Sequence, residues 1–246
     1  MSYNFNTRPY LVLNGIDSRS VKGLIISKLP PVSKPLQRTL VEEVDGRDGD
    51  IITPLGYSAY DKNVEIGLSY EYDIDDIIDY FNTSGKVVFG SEPDRYYKYA
   101  IYAQIDFEKL IRFRTATVTF HVQPFKYSDS ETEKTYHLNP AVWSNSIEVR
   151  NNGNIISRPK ITLTGAGLIG LHINGVKLLE IDLEETGETI VIDAADMNAT
   201  NLSGSKLLNR QVSGNYDNIM LKVGRNEISY TGSLSEIRID NYSRWI

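Results

Sequence analysis

The chain has 246 residues, a formal net charge of −6 from 26 basic and 32 acidic side chains, and no cysteine. Lack of thiols excludes disulfides, thiolate metal sites and cysteine nucleophiles together, and the acidic balance is wrong for a nucleic-acid surface, which needs clustered Lys and Arg. No run of about 18 apolar residues is present to cross a membrane, and Met1-Ser2-Tyr3-Asn4-Phe5-Asn6 lacks the basic and apolar regions of a secretory leader.

At this length, with 41% hydrophobic residues, the chain suits one large all-β domain or two domains of about 120 residues each. Tyr10-Leu11-Val12-Leu13 reads as a strand leading into the turn pair Asn14-Gly15, with Gly23-Leu24-Ile25-Ile26 as the next strand. Leu29-Pro30-Pro31-Val32-Ser33-Lys34-Pro35 cannot be a central strand, because its prolines remove ladder donors, and it reads as an extended arm. Thr39-Leu40-Val41 is a strand candidate, closed by Asp45-Gly46-Arg47-Asp48-Gly49-Asp50, whose glycines permit positive φ.

One helix is predicted over 73–82. Asp73 is a good N-cap, Asp75 and Asp76 face the positive end of the dipole, and Gly85 can act as a stop. Ile74, Ile77, Ile78 and Phe81 recur at the spacing of one apolar face. Strands follow at 86–89 and 95–103, the latter rich in Tyr96, Tyr97, Tyr99 and Tyr102. In 115–122, Ala116, Val118, Phe120 and Val122 alternate with polar residues, the pattern of a half-buried strand.

Segment 128–134 has no apolar residue and reads as a linker between domains at 1–128 and 135–246. Beyond it, short strands are expected at 146–150, 159–164, 168–174, 176–183, 188–193, 217–223, 226–231 and 234–239. Turn pairs such as Asn152-Gly153 and Asn174-Gly175 punctuate them, so the second half is expected to be a β-sandwich.

Gly165-Ala166-Gly167-Leu168-Ile169-Gly170 matches a dinucleotide fingerprint by letter. That chemistry needs a helix immediately afterwards, whereas Ile169, Leu171 and Ile173 alternate into the Asn174-Gly175 turn, which implies a hairpin. The acidic run Asp73, Asp75, Asp76, Asp79 places Ile77 and Ile78 where a calcium loop needs a ligand and a glycine, so it reads as a capped helix with a solvated face. The three histidines, at 121, 137 and 172, show no paired ligand spacing, and no nucleophile elbow, HExxH or Walker loop occurs. The N-x-S/T triplets at Asn82, Asn198, Asn201 and Asn241 read as chance matches without a leader. No residue is assigned to catalysis, to a cofactor or to a metal.

Several segments in order resemble one family. Leu13-Asn14-Gly15-Ile16-Asp17-Ser18 with Val21-Lys22-Gly23-Leu24-Ile25-Ile26, then the prolines and Asp45-Gly46-Arg47-Asp48-Gly49, look like the opening of siphophage distal tail (Dit) proteins. The helix ending in Phe81, Gly85-Lys86-Val87-Val88-Phe89 and Tyr96-Tyr97 resemble that family's next stretch. Asn151-Asn152-Gly153-Asn154 before Arg158-Pro159-Lys160-Ile161-Thr162-Leu163, Gly224-Arg225-Asn226-Glu227-Ile228 and the terminal Ser243-Arg244-Trp245-Ile246 look like its galectin-like second domain.

The resemblance implies a mainly β, two-domain protein. Its N-terminal β-sandwich or barrel-like domain, with one helix, would form a homo-hexameric ring, and its C-terminal domain would be a galectin-like β-sandwich. It also implies a structural, non-enzymatic hub at the virion tail tip, made in the bacterial host cytoplasm, joining the tail-tube protein to tip and receptor-binding proteins. The second domain leaves no room for an inserted carbohydrate-binding module. A sugar-binding role at the tail tip, or the same hub in a phage-tail-like bacteriocin, are the alternatives. Ring contacts are expected from the proline arm and the glycine loop, at Pro30, Pro31, Pro35, Arg47 and Asp48, since neither segment has an obvious place in its own core. An acidic or neutral lumen would let DNA pass without holding it.

Overall fold

The computed structural model describes residues 8–132, 135–138 and 146–246. Positions 133–134 of the expected linker lie outside the described residues. The chain divides into two compact units, one running to Lys126 and including Ile246, the other Tyr127–Trp245.

The first unit contains β1 (Leu11–Leu13), β2 (Ile16–Asp17), β3 (Leu24–Lys28), β4 (Gln37–Glu42), β5 (Ile51–Tyr57), β6 (Tyr60–Leu68), α1 (Ile74–Phe81), β7 (Gly85–Phe89), β8 (Tyr96–Ala100), α2 (Phe107–Phe113) and β9 (Thr115–Tyr127). Its main sheet runs β2-β1-β7-β8-β9-β6-β3, while β4 and β5 form a separate two-stranded sheet. The expected turn at Asn14-Gly15 joins β1 to β2 with both residues at positive φ, as a primed hairpin turn requires. Asn14 then ties this turn to the approach to β7, donating to Thr83 Oγ1 at 2.9 Å and accepting from Lys86 N at 2.8 Å. Gly85 is needed there, because a Cβ would lie 2.3 Å from Asn14 Oδ1.

The alternating residues of β9 behave as expected: Ala116, Val118, Phe120 and Val122 are all buried, against Val64 and Ile66 of β6. Phe89, Tyr97 and Phe120 pack edge to face, with centroids 5.5 and 5.9 Å apart. Helix α1 is capped by Asp73, which accepts from the amides of Asp75 and Asp76. Its buried face is Ile77, Tyr80 and Phe81, rotated from the expected stripe, with Ile74 and Ile78 only half-buried. The Tyr80 hydroxyl explains the rotation, since it can enter the core while donating to the carbonyls of Leu11 and Ile16. The helix ends at Asn82, and Gly85 opens β7 instead of stopping the helix.

A second helix, α2, is not signalled by the sequence periodicity. At seven residues it is too short for a periodic stripe; Asp106 caps it through Lys109 N, and Arg114 ends it in the left-handed region. The tyrosine run also departs from simple alternation. Tyr97 and Tyr99 face the main core, adjacent Tyr96 is buried as well with Lys86 over its ring, and Tyr102 is exposed.

The second unit contains α3 (Asp129–Thr132), β10 (Thr135–Leu138), β11 (Ser146–Asn151), β12 (Lys160–Ile173), β13 (Val176–Asp193), β14 (Asn198–Asn201), β15 (Val212–Gly214) and β16 (Gly224–Asp240). The sheet order is β10-β16-β12-β13-β14, with β11 also on β16 and β15 on β13. Six strands expected from the sequence are in fact three long ones. Each carries an irregularity at one level, at Gly165–Gly167 of β12, opposite Gly187 of β13 and Gly232 of β16. Both halves of these strands feed one core, including Ile161, Leu163, Ile190 and Ile237 from one side of the break and Ile169, Leu171, Ile181 and Ile228 from the other. Thus the sheet bends over itself there. Gly165 sits where a Cβ would meet Ser233 O at 2.4 Å. The strand expected at 217–223 is not formed: Tyr216–Asn218 is a 3-10 turn, and Leu221 only bridges Ser157.

Candidate assembly surface

The β4–β5 hairpin is the least buried element of the first unit. Its strands pair antiparallel from Gln37↔Tyr57 to Glu42↔Ile51, and most residues of both strands are exposed. Leu40, Val41, Ile52 and Leu55 project from it, with Ile52 63% exposed. A lone two-stranded hairpin is marginal in water, and exposed apolar strands with free edges are templates for further pairing. Its tip is acidic and exposed, carrying Glu42, Glu43, Asp45, Asp48 and Asp50 with one basic residue, Arg47.

The residues expected to make ring contacts fall in two environments. Arg47 and Asp48 stand on the exposed tip, between Gly46 and Gly49 at positive φ. Pro30 and Pro35, by contrast, are buried within their own unit, and Pro31 is exposed. The proline segment is therefore not a free arm. It lies on β6, where Lys62 Nζ donates to Pro31 O at 2.9 Å and the Tyr60 hydroxyl reaches Ser33 O at 3.5 Å. At the hairpin base, Ser58 N donates to Leu36 O at 2.9 Å.

Beneath this segment lies a buried polar cluster that sequence reasoning missed. Lys62 follows the inward alternation of β6 with Val64 and Ile66, yet it is a cation only 3% exposed. Its Nζ lies 5.2–5.6 Å from the ring centroids of Tyr60, Phe89 and Tyr97. Close by, Lys126 Nζ meets Glu92 Oε1 at 2.7 Å and the Tyr97 hydroxyl donates to Glu92 Oε2 at 3.0 Å. Burial lowers the Lys62 ammonium to about 8, with Glu92 pulling upward and Lys126 pushing further down. Burial raises Tyr97, helped by the Glu92 carboxylate. The one legible signal was a lysine at an inward position of an alternating strand.

Other motifs fall into bland surroundings. Gly165–Gly170 lies inside β12, so strand follows where a dinucleotide site needs a helix. His121 Nδ1 lies 2.8 Å from Asp61 on an exposed strand face. Among the described residues no group of three or more His, Cys, Asp or Glu is placed to hold a metal, and no helix is long and apolar enough to cross a membrane.

Comparison with solved structures identifies this architecture. The phage SPP1 Dit protein, described as a paradigm of the hub of the adsorption apparatus in phages infecting Gram-positive bacteria, superposes with a TM-score of 0.62, covering 95% of this chain and 98% of that one at 16% identity. The chain has a Dit fold. The baseplate of phage P2 in its activated, calcium-bound conformation also matches, with a TM-score of 0.48 and 10% identity over 95% of this chain and 98% of that chain. No family model and no curated protein sequence matches. The Dit fold agrees with the mainly β, two-part organisation expected from the sequence.

Proposed function

We propose that the chain is a structural hub of a phage tail tip, a homo-hexameric ring that joins the tail tube to tip and receptor-binding proteins. The observation that carries this reading is the β4–β5 hairpin, a two-stranded sheet with exposed apolar residues, free edges and no core of its own, on a chain that matches the Dit fold over 95% of its length. Such a hairpin gains stability by pairing with a neighbouring copy, and a heterologous contact of that kind closes into a ring when the rotation closes.

On this reading Arg47 and Asp48 meet a neighbour or the lumen, while Pro30, Pro31 and Pro35 set the direction in which the hairpin leaves the main sheet. The acidic tip suits a lumen threaded by DNA, since clustered cations would retain it. The protein would work without catalysis, at the tail tip of a virion, after synthesis in the bacterial cytoplasm. Residues 1–128 would make the ring and 135–246 would decorate it.

Class averages of the purified full chain by electron microscopy test the proposal. Closed six-fold rings are expected; particles that remain monomeric across micromolar concentrations would refute it.

A further inference from the structure

We propose that Lys62 is a positioning residue for assembly: its ammonium, bound to the Pro31 carbonyl, fixes the segment from which the β4–β5 hairpin leaves the sheet. This inference rests on the ring reading above.

An inward site beside Val64 and Ile66 would hold an apolar side chain cheaply, whereas a buried ammonium sacrifices its hydration. Lys62 is not needed to neutralise Glu92, which already pairs with Lys126 at 2.7 Å and accepts from Tyr97. The three surrounding rings recover only part of the lost hydration. What the cation does, among the described residues, is reach 31 positions back along the chain and bind Pro31 O at 2.9 Å. The segment it holds has buried prolines on both sides of that carbonyl, at 30 and 35. Proline offers only its carbonyl to such an anchor, and Lys62 supplies the donor that reaches it. Six residues after Pro31 the hairpin begins.

The groups facing Lys62 are Tyr60 from β6, Glu92 after β7, Tyr97 from β8 and Lys126 from β9. Burial raises both tyrosines, so neither ionises near pH 8. Lys62 itself loses its proton near 8, below the 10.5 of an exposed lysine. Between those values the unfolded chain binds the extra proton, so the Lys62 contribution to fold stability rises with pH, and below pH 10 the raised tyrosines do not oppose it. The tether weakens over the same range, because an amine is a poorer donor than an ammonium. Stability and assembly therefore move in opposite directions, a signature that a purely structural lysine would not give.

Lys62→Met in the full chain is the decisive variant, with Lys62→Gln retaining an N–H donor. Lys62→Met is expected to melt at the same or a higher temperature, to exchange hairpin amides roughly tenfold faster, and to yield far fewer rings, with Lys62→Gln between it and wild type. Unchanged exchange and unchanged ring yield in Lys62→Met would overturn the inference. If wild-type protein forms no rings, the hub reading fails, while the exchange comparison still decides the role of Lys62. If Lys62→Met does not fold, the wild-type pH series decides: ring yield falling through pH 8 as the melting temperature rises supports the tether, and a flat ring yield refutes it.

Discussion

Lys126 Nζ and Glu92 Oε1 meet at 2.7 Å in the core of the first unit, with their side chains only 2% and 3% exposed. The carboxylate uses its second oxygen to accept from Tyr97, so its charge is satisfied on both sides. A buried pair of this kind adds little net stability, but breaking it on one side leaves a charge without a partner.

Glu92→Gln keeps the shape and removes the anion, leaving Lys126 and Lys62 as two buried ammonium groups. Chemical denaturation is expected to show a loss of about 3–5 kcal/mol. The double variant Glu92→Gln/Lys126→Met should recover most of it, and a double variant no better than the single would contradict this account.

Helix α1 gives a contrast between neighbours on one helix. Ile77 is fully buried and Asp79 is exposed. Ile77→Ala is expected to cost about 2–5 kcal/mol and Asp79→Ala under about 1 kcal/mol. Equal losses in a urea series would mean that the helix packs by another face.

On the hairpin, stability and assembly should separate. Ile52→Lys removes an exposed apolar side chain and introduces a charge at the expected contact, so the unfolding free energy should change by less than about 0.5 kcal/mol. Ring yield in electron micrographs should collapse in the same sample. Intact rings would move the contact away from this strand.

The second unit carries an acid-sensitive clasp. Asp193 is partly desolvated, which would raise it, but Lys160 at 3.0 Å and the amides of Ala195 and Asp196 outweigh burial and hold it below the usual carboxylate range. A depressed carboxylate contributes stability above its unfolded value of 3.8 and loses it as pH falls through the lower folded value. Asp193→Asn should therefore lower stability near neutral pH, on the order of 1 kcal/mol, with the gap to wild type closing in strong acid. A pH-independent gap in melting curves would show that the clasp is not electrostatic.

The sequence alone determined what depends on near neighbours in the chain. The Asn14-Gly15 turn, the Asp73 cap and the alternation of Ala116, Val118, Phe120 and Val122 are each set within a few residues, because turn, cap and strand chemistry are local. Order and spacing of such segments were enough to point to the Dit fold. Tertiary structure decided what depends on contacts between distant residues. Three strands of the second unit run through their glycines because partner strands bridge the breaks, a support invisible along one segment. The proline segment packs into its own unit through Pro30 and Pro35, and Lys62, 31 residues later in the chain, binds the Pro31 carbonyl. Alternation with Val64 and Ile66 places that lysine on the inward face of β6; only the pairing of β6 with β9 and the closure of β7 and β8 bury that face, beneath the root of the hairpin.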